Sequence, residues 1–210
     1  MPESKPVGSV RERLLQSARE LFYREGVHSV GIDRVLSHAG VAKASLYGTF
    51  GSKDELVRAY LDERSSWLQA RIQKRLSEHT DARARILAVF DEFSDRTAAG
   101  AYYGCPFIRA CAEAPLAVDP AHDAAASHRR WQRELFQRLA EEAGIRDAEG
   151  IGQQLALIYD GATVAVSMEQ DPSAARAARA IVERLLSGES KATAPKKARA
   201  STASSARKKS

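Results

Sequence analysis

Apolar side chains recur at intervals of three and four from near the start of the chain, the spacing that lines them along one side of a helix. Leu14, Ala18, Leu21 and Phe22 form the first stripe, opened by Ser9 and Glu12 in the S-x-x-E capping-box pattern and closed by Gly26. Ile32, Val35, Leu36 and Ala39 predict a second, short helix with Gly40 as its exit, and Ala44 to Phe50 a third after a tight turn. Ser52 and Glu55 repeat the capping box before a long fourth helix from Lys53 to about His79, carried by Leu56, Val57, Tyr60, Leu61, Leu68, Ile72 and Leu76.

Beyond it the pattern predicts a fifth helix over Asp81–Thr97, a short piece over Phe107–Ala114 after the break at Gly104 and Pro106, and three more over about Pro120–Ala143, Asp147–Glu169 and Pro172–Ser187. Asp119 before Pro120 and Asp171 before Pro172 each read as an N-cap followed by Pro at the first helical position. From Gly188 onward there is no large apolar residue to offset the entropy of ordering, so residues 188–210 are expected to be a disordered basic tail. The fold class is therefore all-α. Gly and Pro cluster at helix boundaries and do not punctuate the chain every eight to twelve residues, which argues against a strand sandwich or barrel.

Composition changes this picture little: 44% hydrophobic and 28% charged residues in 210 are ordinary for a globular chain. No apolar run approaches the length of a membrane span and Met1–Val10 lacks a secretory core, so a cytoplasmic protein without membrane contact is expected. Charge changes it more. Residues 1–53 carry eight Lys and Arg against five Asp and Glu (+3), residues 54–186 seventeen against twenty-one (−4), and residues 187–210 seven against one (+6). A polyanion would thus meet the N-terminal segment, assisted by the tail.

A helix, a tight turn and a second helix of about seven residues is helix-turn-helix geometry, in which the second helix enters the major groove of DNA. Many helical hairpins bind nothing, but here the second helix offers Lys43, Ser45, Tyr47 and Thr49, a cation and three hydroxyls suited to phosphates and base edges, while Leu46 and Phe50 face the core. Asp33 would repel phosphate unless it pairs with Arg34 or accepts from a cytosine amino group.

The run Leu14–Leu61 closely resembles the N-terminal DNA-binding domain of the TetR/AcrR family of bacterial transcriptional regulators. The resemblance rests on Ala18, Leu21, Phe22 and Gly26, then Ala39, Gly40 and Val41, then Leu46, Tyr47 and Phe50, then Lys53 and Leu56. It implies an N-terminal three-helix DNA-binding domain at 1–53, a helical effector-binding and dimerisation domain at 54–187, and a homodimeric repressor released from a palindromic duplex operator by a small-molecule effector. By position it implies DNA contacts from Arg34, Lys43, Ala44, Ser45, Tyr47, Gly48, Thr49 and Lys53. Two departures from the family stand out: Gly48 and Thr49 stand where bulkier or basic groups are usual, and Gly31 replaces the hydroxyl cap of the second helix. These departures bear on the operator sequence more than on the act of binding, while Gly48 and Asp33 favour, as the alternative, a helical small-molecule-binding protein that no longer binds a specific DNA site.

Phe90, Phe93, Tyr102, Tyr103, Phe107, Trp131, Phe136, Tyr159 and Met168 lie where such a domain would keep its pocket, although most of them must also build core. Of these, Phe90, Tyr102, Tyr103, Phe107, Trp131 and Tyr159 are the candidate effector contacts, for a small and largely apolar ligand between the fifth helix and the helices after Pro106. Small faces at Gly161, Ala162 and Ala165, and at Ala174, Ala177, Ala178 and Ile181, suit close helix approach, either within the chain or across a dimer interface. The candidate interface residues are Gly161, Ala162, Ala165, Ala177 and Ile181. No metal-ligand spacing exists among the five His residues, no cofactor motif is present, and no nucleophile stands with a base, so an enzyme is not expected. Cys105 and Cys111 are expected to be inert buried thiols rather than a redox pair.

Overall fold

The computed structural model describes residues 8–100, 102–113 and 120–192, and within them nine helices and no strand. They are α1 (Val10–Glu25), α2 (Ile32–Ala39), α3 (Lys43–Phe50), α4 (Lys53–Ser77), α5 (Ala82–Ala98), α6 (Pro106–Glu113), α7 (Pro120–Glu142), α8 (Ala148–Glu169) and α9 (Ser173–Ala192). None of the described helices is long and apolar enough to cross a membrane.

The local signals act as their chemistry requires. At α1, the Glu12 amide donates to Ser9 Oγ at 3.2 Å and the Ser9 amide donates back to the Glu12 carboxylate at 2.8 Å, which satisfies two orphan donors at once. Ser52 and Asp81 cap α4 and α5 one way only, their side chains accepting from the Glu55 and Ala84 amides, so of the capping box expected at Ser52 and Glu55 only the serine half is formed. Gly40 ends α2 in the left-handed conformation (φ 60°, ψ 42°), which a residue without Cβ adopts freely.

Two boundaries differ from the sequence expectation. At α9 Pro172 stays outside the helix, and Asp171 accepts from the Ser173 amide at 2.9 Å and its hydroxyl at 2.5 Å, so the cap acts one residue later. The same helix also runs past Gly188 to Ala192, so residues 188–192 are not tail. Glycine weakens a helix by only about 1 kcal/mol against alanine, and the residues after it are tolerable helix formers that need no core contact to continue the turn. The expected Asp119 cap, Ala114, and residues 193–210 lie outside the described residues.

Two apolar clusters organise the chain. In the first, α1, α2, α3 and the start of α4 close around Leu14, Leu46, Leu56 and Leu61, all fully buried and each contributing about 1.5–3 kcal/mol relative to exposure. Phe107 and Ala110 of α6 and Ala121, Ala124 and Ala125 of α7 join this same cluster. The second cluster holds the rest of α4 from Leu68 onward with α5, α7, α8 and α9. Its centre is aromatic: Phe90 stacks on Phe136 with ring centroids 5.6 Å apart, and Tyr159 meets both rings. Helices α7 and α8 approach so closely that a Cβ at Gly152 would lie 2.8 Å from the Gln137 backbone nitrogen. Helix α4 is common to both clusters.

Candidate nucleic-acid interface and the cavity between helices

Helix α3 is fixed from beneath and bare on top. Leu46 is fully buried, Phe50 packs half-buried with the Arg11 guanidinium 5.6 Å from its ring centroid, and Lys43, Ala44, Tyr47, Gly48 and Thr49 are exposed. Ser45 is half-buried, and its carbonyl accepts from the Thr49 hydroxyl at 2.6 Å, so Thr49 already has a partner within the helix. Lys43 Nζ lies 3.5 Å from Asp33 Oδ1, which ties α3 to α2. Arg34, the partner suggested for Asp33, instead pairs with Glu25 of α1, its Nη2 donating to Oε1 at 2.9 Å. Asp33 is thus neutralised by Lys43, although both groups are well exposed and the pair is a weak one. Lys53 is half-buried at the start of α4. Burial pulls its pKa down, and the carboxylates of Asp54 and Glu113 act in the opposite direction.

The turn that aims α3 is held by Arg13. Its Nε donates to the Ala39 carbonyl at 3.0 Å, and Nη2 reaches the same oxygen at 2.5 Å and also the Gly40 carbonyl. A cation thereby satisfies the last carbonyls of α2, where the helix dipole is negative. Sequence spacing did not single out Arg13 from Arg11 or Arg19. The available signal was that a helix ending at Gly40 leaves carbonyls in need of a donor.

The second feature is a cavity of about 360 Å³ between α6 and α7, with α8 behind it. Phe107, Ile108 and Cys111 of α6 face Ala125, Ala126 and His128 of α7 across it, and Gln132 with Asp160 marks its polar end. On the other side of a shared wall that includes Phe107 and His128 lies a separate recess of about 30 Å³, lined by Phe107 together with Tyr102, Tyr159, Thr163 and Arg96. Of the six expected ligand contacts, Tyr102, Phe107 and Tyr159 therefore come together. Phe90 is fully buried against Phe136 and lines no space, Tyr103 packs edge-on to Tyr23 at 5.4 Å, and Trp131 borders only a crevice of about 10 Å³. Met168 is 79% exposed and no pocket residue at all. The aromatic side chains fill space by packing on each other. The opening is left where lining residues are small, at Ala125, Ala126, Cys105 and Cys111.

His128, one of the five His residues without metal-ligand spacing, takes a structural place in the wall of both spaces. It is 7% exposed, its ring stacks on Phe107 at 3.8 Å and 7°, and its Nδ1 lies 2.9 Å from Ser65 Oγ on α4. Burial, reinforced by the Arg96 cation, pushes its pKa down to about 4, so the imidazole is neutral near pH 7. One buried polar atom beside the space, His122 Nε2, has no hydrogen-bond partner among the described residues. Cys105 and Cys111 form no disulfide, and burial raises the Cys105 pKa, which suppresses the reactive thiolate. Among the described residues no group of three or more His, Cys, Asp or Glu could hold a metal ion.

A third feature lies on the outside. Leu157 (56% exposed), Gly161, Val164 and Met168 line up along α8, with Ala177 and Ile181 (50% exposed) on α9. Of the expected interface residues, Gly161, Ala177 and Ile181 face outward, Ala165 is half-buried, and Ala162 is turned into the core of its own chain. Leu157, Val164 and Met168 add large exposed apolar groups to this stripe, beside the small residues that the sequence pattern picks out.

An all-helical chain with a braced helix-turn-helix at one end and a larger helical body at the other is the architecture of a helix-turn-helix DNA-binding protein. The sequence pattern of the bacterial regulatory proteins of the tetR family matches residues 14–60. A TetR-family transcriptional regulator from Streptomyces coelicolor, known by crystal structure, is 34% identical and superimposes with a TM-score of 0.81, over 86% of this chain and 96% of its own. The chain belongs to the TetR family, and its N-terminal helices are that family's DNA-binding domain. This is a family of transcription regulators rather than enzymes. Two curated relatives from Mycolicibacterium smegmatis match over shorter stretches. The HTH-type transcriptional activator FasR is 38% identical over 85 residues, 40% of this chain and 39% of FasR. The HTH-type transcriptional repressor KstR2 is 30% identical over 82 residues, 39% of this chain and 40% of KstR2. The chain thus spans about two fifths of either relative.

Proposed function

We propose that this chain is a homodimeric repressor that binds a palindromic DNA duplex through α3 and the start of α4, and leaves it when a small, largely apolar ligand enters the cavity between α6 and α7. Residues 1–53 form the DNA-reading unit and residues 54–187 the ligand-binding and dimerising unit, with α4 shared between them. The outward face of α3 carries the reading. Its apolar side chains are turned inward, its turn is clamped by Arg13, and Lys43, Ala44, Tyr47 and Gly48 stand clear of both cores. Tyr47 and Lys53 supply phosphate contacts that set affinity, and Lys43 and Ser45 base-edge contacts that set preference. A lone recognition helix reads few bases, so two copies related by a two-fold axis would meet successive major grooves about 34 Å apart. The apolar stripe on α8 and α9 is the surface suited to join them.

The test is selection from a random duplex library followed by anisotropy titration with the selected duplex at moderate salt. The wild type is expected to enrich an inverted repeat, and Tyr47→Ala with Lys53→Ala to lose about tenfold or more in affinity across all sequences. Unchanged affinity in the double variant would overturn the assignment.

A further inference from the structure

The recess behind Phe107 and His128 carries more positive charge than its carboxylates can match. Arg96 of α5 lines it, with a side chain only 13% exposed. Its Nε reaches Glu92 Oε2 at 3.4 Å, whereas the Glu92 carboxylate takes its short bond, 2.7 Å to Oε1, from Arg71 Nε on α4. Arg96 Nη2 donates to the Tyr159 hydroxyl at 3.0 Å, and Nη1 donates to nothing among the described residues. Arg64 of α4 also lines the recess. Its guanidinium lies over the rings of Tyr23 at 4.7 Å and Trp67 at 4.2 Å, and it forms no ion pair among the described residues. Asp160, the one carboxylate in the lining, is taken by Arg129. Four guanidinium groups, Arg64, Arg71, Arg96 and Arg129, thus share two carboxylates, Glu92 and Asp160, which leaves two positive charges over. A buried charge without a close counter-ion is costly, so the surplus calls for an anion.

We infer that this recess is a binding site for a carboxylate, the acid group of a small organic acid held by Arg96. Size and shape select that anion. A space of about 30 Å³ takes about two water-sized atoms, since each needs about 10–15 Å³. Two oxygens make a carboxylate, and the four of a phosphate or sulfate are too many. A planar guanidinium also meets a carboxylate edge to edge through two parallel bonds. Two phenols add donors: burial pushes the Tyr159 hydroxyl up to about 12 and raises that of Tyr102 as well, so both keep their protons beside an anion. Of the lining residues Trp67 alone is exposed, at 40%, so the acid enters, and leaves its remaining body, beside that indole. The site lies across the wall from the cavity between α6 and α7, and the inference goes beyond the reading above without resting on it.

The probes are acetate and benzoate, titrated calorimetrically into the full-length protein without DNA at fixed ionic strength, with acetamide, benzamide and inorganic phosphate as controls. The expected result is one acid bound per chain, about tenfold or more tighter than its amide or than phosphate. Trp67 and Trp131 are the two tryptophans, so in a Trp131→Phe background the emission of Trp67 should follow acetate binding. Arg96→Met should weaken binding about tenfold or more, and Tyr102→Phe about threefold. Damaged packing would also weaken binding, so the deciding variants change the competition for Arg96 from outside the lining. Glu92→Gln removes the competing carboxylate and should tighten benzoate about threefold or more, a gain that lost structure does not produce. Arg71→Met, on a side chain 45% exposed, leaves Glu92 to Arg96 alone and should weaken benzoate about twofold or more. Amides or phosphate that bind as tightly as the acids, saturation without a change at Trp67, or no saturation at all would overturn the inference. A folded Glu92→Gln protein that binds benzoate no better than wild type would overturn it too, and so would an Arg71→Met protein that binds it equally well.

Discussion

Acid should unfold this protein partly through one side chain, His128. An ordinary His takes up a proton near pH 6.5, but in the folded chain burial, with the Arg96 cation, lowers that value to about 4. As pH falls through 6.5 the unfolded chain is protonated first, so folding stability is fully present above that value and is lost progressively toward pH 4. Between about pH 7.5 and pH 5 the linkage amounts to about 2 kcal/mol, out of about 3 kcal/mol for the whole shift. Because carboxylates and other His residues also titrate, the quantity to measure is a difference. Urea denaturation at both pH values, at one fixed protein concentration, should show wild type losing about 2 kcal/mol more than His128→Gln. The variant will itself be weaker at pH 7.5 through loss of stacking on Phe107, and that offset cancels in the comparison. Equal losses in the two proteins would mean that His128 is not buried as a neutral ring, and that water reaches the cavity wall.

Three further outcomes test the packing. Gly161→Arg, where a Cβ meets nothing within 4 Å, should leave the chain folded yet monomeric by light scattering, with little operator affinity; an intact dimer would place the interface elsewhere. Gly152→Ala drives a methyl into the Gln137 backbone and should cost about 1–3 kcal/mol in thermal unfolding, whereas an unchanged melting temperature would contradict the close α7–α8 approach. Gly48→Ala, in open space within α3, should stabilise the fold by about 0.5–1 kcal/mol through helix propensity, and a lowered melting temperature would mean that α3 is not helical there.

The head of the molecule was legible because its determinants are local. The capping box at Ser9, the exit at Gly40 and the inward pair Leu46 and Phe50 each lie within a few residues of what they control. The body resisted for the opposite reason. Its cavity is set by small side chains converging from α6 and α7, and by aromatics that find one another and leave that space empty. Arg96 carries no motif, since its partners are a carboxylate one turn back in its own helix and a hydroxyl 63 positions away in sequence. The end of α9 was misplaced because composition reports what can be buried, not how far a helix continues once started.

Ser65 is the middle residue of α4, with twelve residues on either side between Lys53 and Ser77. The bond from His128 therefore grips a rod about 37 Å long at its centre, each arm reaching about 18 Å. Below that fulcrum the rod is seated in one core, from Leu56 to Leu61, and above it in the other, from Leu68 to Leu76. A swing of only about 6° about Ser65 carries Lys53 by about 2 Å, and Ser77 as far the other way.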